Sequence, residues 1–443
     1  MSVVFLPLIG MDLFMYKIII PLLVSAGLVA SPITWAEPML RWTLSASIQR
    51  ALEVAPEMKT ADAEIGKQQG KLEQADAWPN PSISIQVDDT LGLEDTSGGY
   101  DATELAISQA LPFGRLGHQR RQAEAGIASA QAQHGYQQLL LEYSVAQRLH
   151  VLQLAEAKLQ LATKRLQQAG LYQNTGSKRR NGYDLVRYLT PLEVMRLDIV
   201  LQAAKQTMEV AEGEYNEAAA SFKALLGIAI DEPLSVVSLA PVPVPQEFNA
   251  LENSLLNHPA MEADKQFIEA SRAGVAVARS QRFSDPTLTV FQGEEFLNNR
   301  RQGTTGIMLN LQFPLWNQGK GRVTQARYAV HQAQADMSLR QRELQTNLHK
   351  SYLHLGHLIK QAEHYRSKLL VPARQMFSLT RKGFDAGEVN VLTLIDANNT
   401  YFDAQERYSE LLQEGWLELA EVRKSSGLFL TDKRPVIQFG EVK

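Results

Sequence analysis

The chain has 443 residues, of which 45% are apolar and 21% charged, the balance of an ordinary folded protein with room for two or three domains. Its formal charge of −4 speaks against a nucleic-acid partner. With no cysteine, disulfides, thiolate metal sites and a lipid-modified N-terminal cysteine are all excluded.

The N-terminus has the three parts of an export signal. Lys17 supplies a positive charge, Ile18 to Ala30 forms an apolar run too short to span a bilayer comfortably, and Thr34-Trp35-Ala36 offers small residues at a cleavage point. Residues 1–36 are therefore expected to be a signal peptide. Met11 and Met15 are alternative starts, and a single membrane anchor is the competing reading, disfavoured by Pro21 and by the short length.

Two copies of one plan follow. Copy one, 37–230, opens with "LSASIQRALEVAPEM", and copy two, 248–430, with "FNALENSLLNHPAM"; each is amphipathic and runs into Pro56 or Pro259. Next comes a proline-flanked strand, "WPNPSISIQVD" or "FSDPTLTVFQ", and a second one, "TELAISQALPFG" or "TGIMLNLQFPLW". A proline-rich linker within 231–247 joins the copies, and 431–443 reads as a C-terminal tail.

The strands alternate. Ile83, Ile85 and Val87 are separated by Ser84 and Gln86, while Ile307, Leu309, Leu311 and Phe313 are separated by Met308, Asn310 and Gln312. Period two puts the apolar set on one face, which suits a half-buried soluble sheet or a barrel with lipid outside and water inside. Trp78, Phe113, Phe283 and Trp316 cluster at the strand bases, where aromatic rings either mark a membrane–water interface or fill a core.

The helical stretches carry coiled-coil spacing. Val194, Leu197, Leu201, Ala204, Met208, Ala211, Tyr215, Ala218, Phe222 and Leu225 alternate steps of three and four, as do Ala397, Tyr401, Ala404, Tyr408 and Leu411. From Gly117 to Ala169 no proline intervenes, enough for one helix of roughly 80 Å. The fold class expected is mainly α with a small β part. Strands that span a membrane must close into a barrel, and barrels begin at about eight strands. Four strands from one chain then require an oligomer.

Two turns share a phrase. "YLTPLEVM" and "NVLTLIDANNTY" align at Leu189-Thr190 and Leu392-Thr393, which puts Glu193 opposite Asp396. A ring of like carboxylates in a narrow pore attracts cations, whereas an acid in the first turns of a helix simply favours the helix dipole. His349, His354, His357 and His364 gather in one segment, with His354 and His357 on one helical face, and solvent-facing or packed histidines are the expected reading over a metal site. The acidic stretch "DDTLGLEDTSGGYDATE" reads as a solvated loop, and "SKRRNGYD" as a basic patch ahead of the first turn. No catalytic constellation, cofactor motif or metal motif is present in the sequence.

The run from Gly383 to Gly427, "GFDAGEVNVLTLIDANNTYFDAQERYSELLQEGWLELAEVRKSSG", resembles the last helical hairpin of the TolC-like outer-membrane efflux proteins. "SDPTLTVFQ" with "LNLQFPLWNQGKGRVTQAR" is similar to the cobalt–zinc–cadmium (CzcC-like) branch. The resemblance implies a homotrimer in which two β-hairpins per chain build a twelve-stranded transmembrane β-barrel, continued by a coiled-coil barrel of long helices. It implies a passive exit duct in the outer membrane of a Gram-negative bacterium, its helices in the periplasm. The partners implied are a periplasmic adaptor (membrane fusion) protein and an inner-membrane pump, proton-driven and of the resistance-nodulation-division type. Heavy-metal cations are the cargo that the branch suggests. Asp396 matches a family gate aspartate at the periplasmic aperture, while Thr393 stands where better-known members carry a second one. Ile307, Leu309 and Leu311 would face lipid, and the four strand-base aromatics would mark the membrane interface. The reading from another class is a soluble periplasmic coiled-coil scaffold resembling an adaptor.

Overall fold

The computed structural model describes residues 41–88, 102–180, 189–297 and 300–431. The expected leader, most of the acidic loop, residues 181–184 of the basic patch and the tail beyond Thr431 lie outside the described residues. The order of elements repeats. Copy one contains β1 (Arg41–Trp42), α1 (Leu44–Val54), α2 (Pro56–Asp76), β2 (Ser82–Asp88), β3 (Ala102–Ala110), α3 (Arg115–Arg180) and α4 (Pro191–Leu226). A short strand β4 (Ser235–Val236) then pairs in parallel with β1. Copy two contains α5 (Phe248–Ser254), a 3-10 turn, α6 (Pro259–Ser280), β5 (Thr287–Leu297), β6 (Arg300–Asn310), α7 (Lys320–Tyr365), a π turn, α8 (Val371–Asp385) and α9 (Val391–Ser426).

Local chemistry sets the helix limits. α2, α4 and α6 each start with proline, whose missing N–H costs nothing in a first turn. α4 and α9 are both 36 residues long and both end on a left-handed glycine, Gly227 and Gly427. Gly427 is required twice over. Its φ is +77°, and a Cβ there would come within 2.9 Å of the His258 backbone.

α3 runs unbroken for 66 residues, about 100 Å. Its counterpart in copy two is divided. The π turn at Arg366–Leu370 comes just ahead of Pro372, which lacks the N–H that a regular helix would use. The alternating seam of α4 packs as its spacing implies, with every named residue buried or half-buried. Ala204, Ala211 and Ala218 are its smallest members and allow close approach to α3.

The four long strands form one antiparallel sheet in the order β2-β3-β5-β6. The two hairpins meet through β3 and β5, with Ile107 opposite Val290 and Ser108 opposite Thr289. Direct partners in an antiparallel sheet share a face. One face therefore carries Ile83, Ile107, Val290 and Ile307 in a row, with Ile85, Leu105, Leu288 and Leu309 around them. The other carries Ser82, Ser84, Ser108, Thr289 and Asn310, with Ser108 and Thr289 hydroxyls 2.8 Å apart. On this polar face Phe291 lies over Gly306, so any Cβ there would strike the ring. β2 and β6 are each paired on one side only within the described residues.

Candidate functional site

The two turns singled out in the sequence come together. Leu189, Val194 and Leu197 from the first share one buried cluster with Phe384, Val391 and Leu394 from the second, and Tyr172 joins them. Each turn is built by the same device. Thr190 caps α4 and Asn390 caps α9, each accepting from the backbone N–H three residues on. Leu189 with Val194, and Val389 with Leu394, hold the positions of a hydrophobic staple around those caps.

This geometry corrects the alignment of the two phrases. The caps, the helix starts and the closing glycines of α4 and α9 all stand 200 residues apart. Leu189-Thr190 thus corresponds to Val389-Asn390, not to Leu392-Thr393, and the match read from letters is displaced by about one turn. Glu193 corresponds to Thr393, and Arg196 to Asp396.

The two acids differ accordingly. Glu193 is half-buried in a capping box. Its Oε2 accepts from the Thr190 N–H and from the Thr190 hydroxyl, both at 2.9 Å, while its own N–H donates to Thr190 Oγ1. Asp396 lies beyond the first turn of α9, exposed, with no hydrogen bond or ion pair among the described residues. The cap of α9 is already satisfied by Asn390 at 2.8 Å, so Asp396 does no capping.

Behind the turns, polar contacts tie α3 to α9, a network that sequence pattern did not reveal. Arg165 donates to Asn399 at 2.8 Å and pairs with Asp403 at 3.5 Å. Lys158 pairs with Glu410 at 3.0 Å and with Glu406 at 3.3 Å. Burial pulls the Lys158 ammonium down, but Glu410 and Glu406 outweigh it and hold the group above its ordinary value. Tyr172, inside the turn cluster, is pushed up to about 12, chiefly by burial.

At the other end of the long helices, Trp78, Phe113, Phe283 and Trp316 are all exposed. They flank the ends of the strands that lead into helices, so they fall at one end of the sheet. Ile307, Leu309 and Leu311 are exposed as well, Ile307 to 74%. The histidine segment acquires a neighbour that sequence distance concealed: Glu418 of α9 lies 3.2 Å from His354. His349 instead meets the edge of Phe248. No group of three or more candidate metal ligands occurs among the described residues.

Comparison with known proteins gives one consistent result. Residues 250–427 match the family model described as "Outer membrane efflux protein". The chain is 23% identical over 376 residues to the cobalt-zinc-cadmium resistance protein CzcC of Cupriavidus metallidurans, covering 84% of this chain and 86% of that one. It is 24% identical over 253 residues to the pyoverdine export outer membrane protein OpmQ of Pseudomonas aeruginosa, covering 54% and 51% of the two chains. In fold it is similar to the crystal structure of CusC, with a TM-score of 0.69 at 16% identity over 88% of this chain and 93% of that one.

Proposed function

Kinship with the outer membrane efflux proteins, carried by residues 250–427, is the premise from which we propose that this chain is the exit duct of a tripartite efflux system. The observation that carries the reading is the sheet. One face bears a continuous aliphatic row exposed to solvent in the single chain, and among the described residues both outer strands leave one edge unpaired. Exposed aliphatic rows and open edges are unfavourable in water. Both are resolved when β6 of one copy pairs with β2 of the next and the sheet closes in lipid. Three copies bring twelve strands, with the aliphatic face outward and the serine and threonine face lining water.

In this reading the helices continue the barrel into the periplasm as a tunnel. The two turns form its far aperture, where an adaptor protein and a proton-driven inner-membrane pump of the resistance-nodulation-division type would engage. Trp78, Phe113, Phe283 and Trp316 mark the membrane interface on the side of the helices. We take cobalt, zinc and cadmium cations as the cargo, on the strength of the relative that spans most of the chain. Cargo choice would rest with the pump, since a water-filled duct selects weakly.

Three copies of Asp396, free of any cap, would ring the aperture with three copies of Arg196 at the matching position of copy one. The carboxylates dominate if they stand closer to the axis, and then they favour cations. Single-channel recording in planar bilayers tests this. The wild-type channel is expected to prefer cations and to be blocked by trivalent cations. Asp396→Asn should weaken both properties, and adding Glu193→Gln should deepen the change only where Glu193 also faces the pore. Unchanged selectivity and block in Asp396→Asn would remove the acid from the gate.

A further inference from the structure

The seam between α6 and α7, next to the sheet, is crowded with cations. Arg272, Arg279, Arg282, Lys320, Arg322 and Arg327 are all exposed there. Arg272, Arg279, Arg327 and His331 line one shallow hollow between the two helices. Arg282 and Arg322 both lie against Gly319, and Arg322 donates to the Gln281 carbonyl at 3.1 Å. Arg272 pairs with Glu269, and the other five have no carboxylate partner among the described residues.

Acids are missing from the neighbourhood. No Asp or Glu occurs from Pro314 to Ala335. From Arg272 to Asp285 the sole acid is Asp285, and Arg115 holds it at 2.6 Å. The equivalent junction of copy one is balanced instead. Arg120 there meets Glu124 at 2.9 Å and Asp76 at 4.0 Å, and Arg121 is tied to the Gly117 carbonyl. The excess in copy two does not serve the helix either, because Lys320 and Arg322 in the first turn of α7 oppose its dipole. Exposed rings are interleaved with these cations: Phe283, Phe313, Tyr328 and Trp316, the last 93% exposed.

We infer that this belt binds the phosphate headgroups of anionic membrane lipid where the sheet leaves the bilayer. Guanidinium groups fork onto phosphate oxygens, and tryptophan and tyrosine favour the headgroup layer. Cations beside an anionic membrane surface add attraction one by one. The hollow lies between two helices of one chain, and the strands that would join copies, β2 and β6, do not line it. The inference rests on the barrel reading.

The test uses the mature trimer in neutral detergent, offered equal amounts of phosphatidylglycerol and phosphatidylcholine, with retained lipid counted by native mass spectrometry. The wild type should retain phosphatidylglycerol preferentially. Arg279→Gln combined with Arg327→Gln should lower that preference roughly thirtyfold, with trimer and conductance intact. Arg279→Lys with Arg327→Lys should keep most of it. Inorganic phosphate at the same concentration should not displace the lipid. Equal retention of the two lipids by the wild type overturns the inference, as does an undiminished preference in the double glutamine variant. Displacement by inorganic phosphate means a soluble anion site instead. A change in ion selectivity with lipid retention unchanged puts the seam on the lumen side. Should the glutamine variant fail to assemble, the wild-type lipid preference and its resistance to phosphate decide. A chain that needs no detergent defeats the barrel reading first, before any lipid is added.

Discussion

His258 shows how one side chain ties a repeat together. It is buried, it caps α6 by accepting from the Ala260 N–H at Nδ1, and its Nε2–H donates to the Lys424 carbonyl at 2.9 Å. Both ring nitrogens are used, and only the neutral form satisfies both contacts. Burial first, and then the charge of Arg340, depress its pKa, with the Lys424 carbonyl acting the other way. A depressed pKa means that the unfolded chain takes up the proton before the folded one. The stabilising contribution is therefore present above the unfolded value near 6.5 and is lost as pH falls through the lower folded value. Unfolding free energy in detergent should fall between pH 7 and pH 5, and fall less steeply in His258→Asn, which keeps a capping side chain but does not titrate. His150, also depressed by burial, is the reason the slope should diminish rather than vanish. Parallel slopes for the two proteins would show that His258 does not titrate in this window. The same scale explains the misaligned turns. Thr190 and Asn390 do one job with different letters, whereas Leu-Thr recurs where the job differs, so capping chemistry locates the correspondence and letter identity displaces it.

Among the elements, helices and strands were legible because their periods are strict. The seam of α4 buries as spaced, and the alternation of Ile83, Ile85 and Val87 gives one aliphatic face. What joins the elements was not legible. β3 pairs with β5, and Arg165 reaches Asn399, across chain separations that no local pattern encodes. The π turn ahead of Pro372 was also hidden, since a proline announces an interruption without saying how the helix absorbs it. The sheet faces lead to a test by paired substitution. Leu309 is on the aliphatic face and Asn310 on the polar one. In lipid, an arginine on the outer face near the midplane costs about 2–4 kcal/mol, and less toward the interface. Leu309→Arg should impair folding into outer-membrane vesicles, measured by resistance to protease, while Asn310→Arg should fold like the wild type. The reverse order would assign the faces the other way round.

At the scale of the molecule, one chain is an incomplete object. Its helices bury their seams within the chain, but among the described residues its sheet ends in two open edges and shows an aliphatic face to water. In the proposed reading, a closed sheet of several copies in lipid removes both defects together. The proposed duct-like role depends on that closure, and so do the aperture ring and the lipid belt. The most direct measurement is the mass of the mature protein extracted in detergent, by light scattering corrected for bound detergent. A single species of three chains is predicted, and a monodisperse monomer that retains its strand content would contradict it.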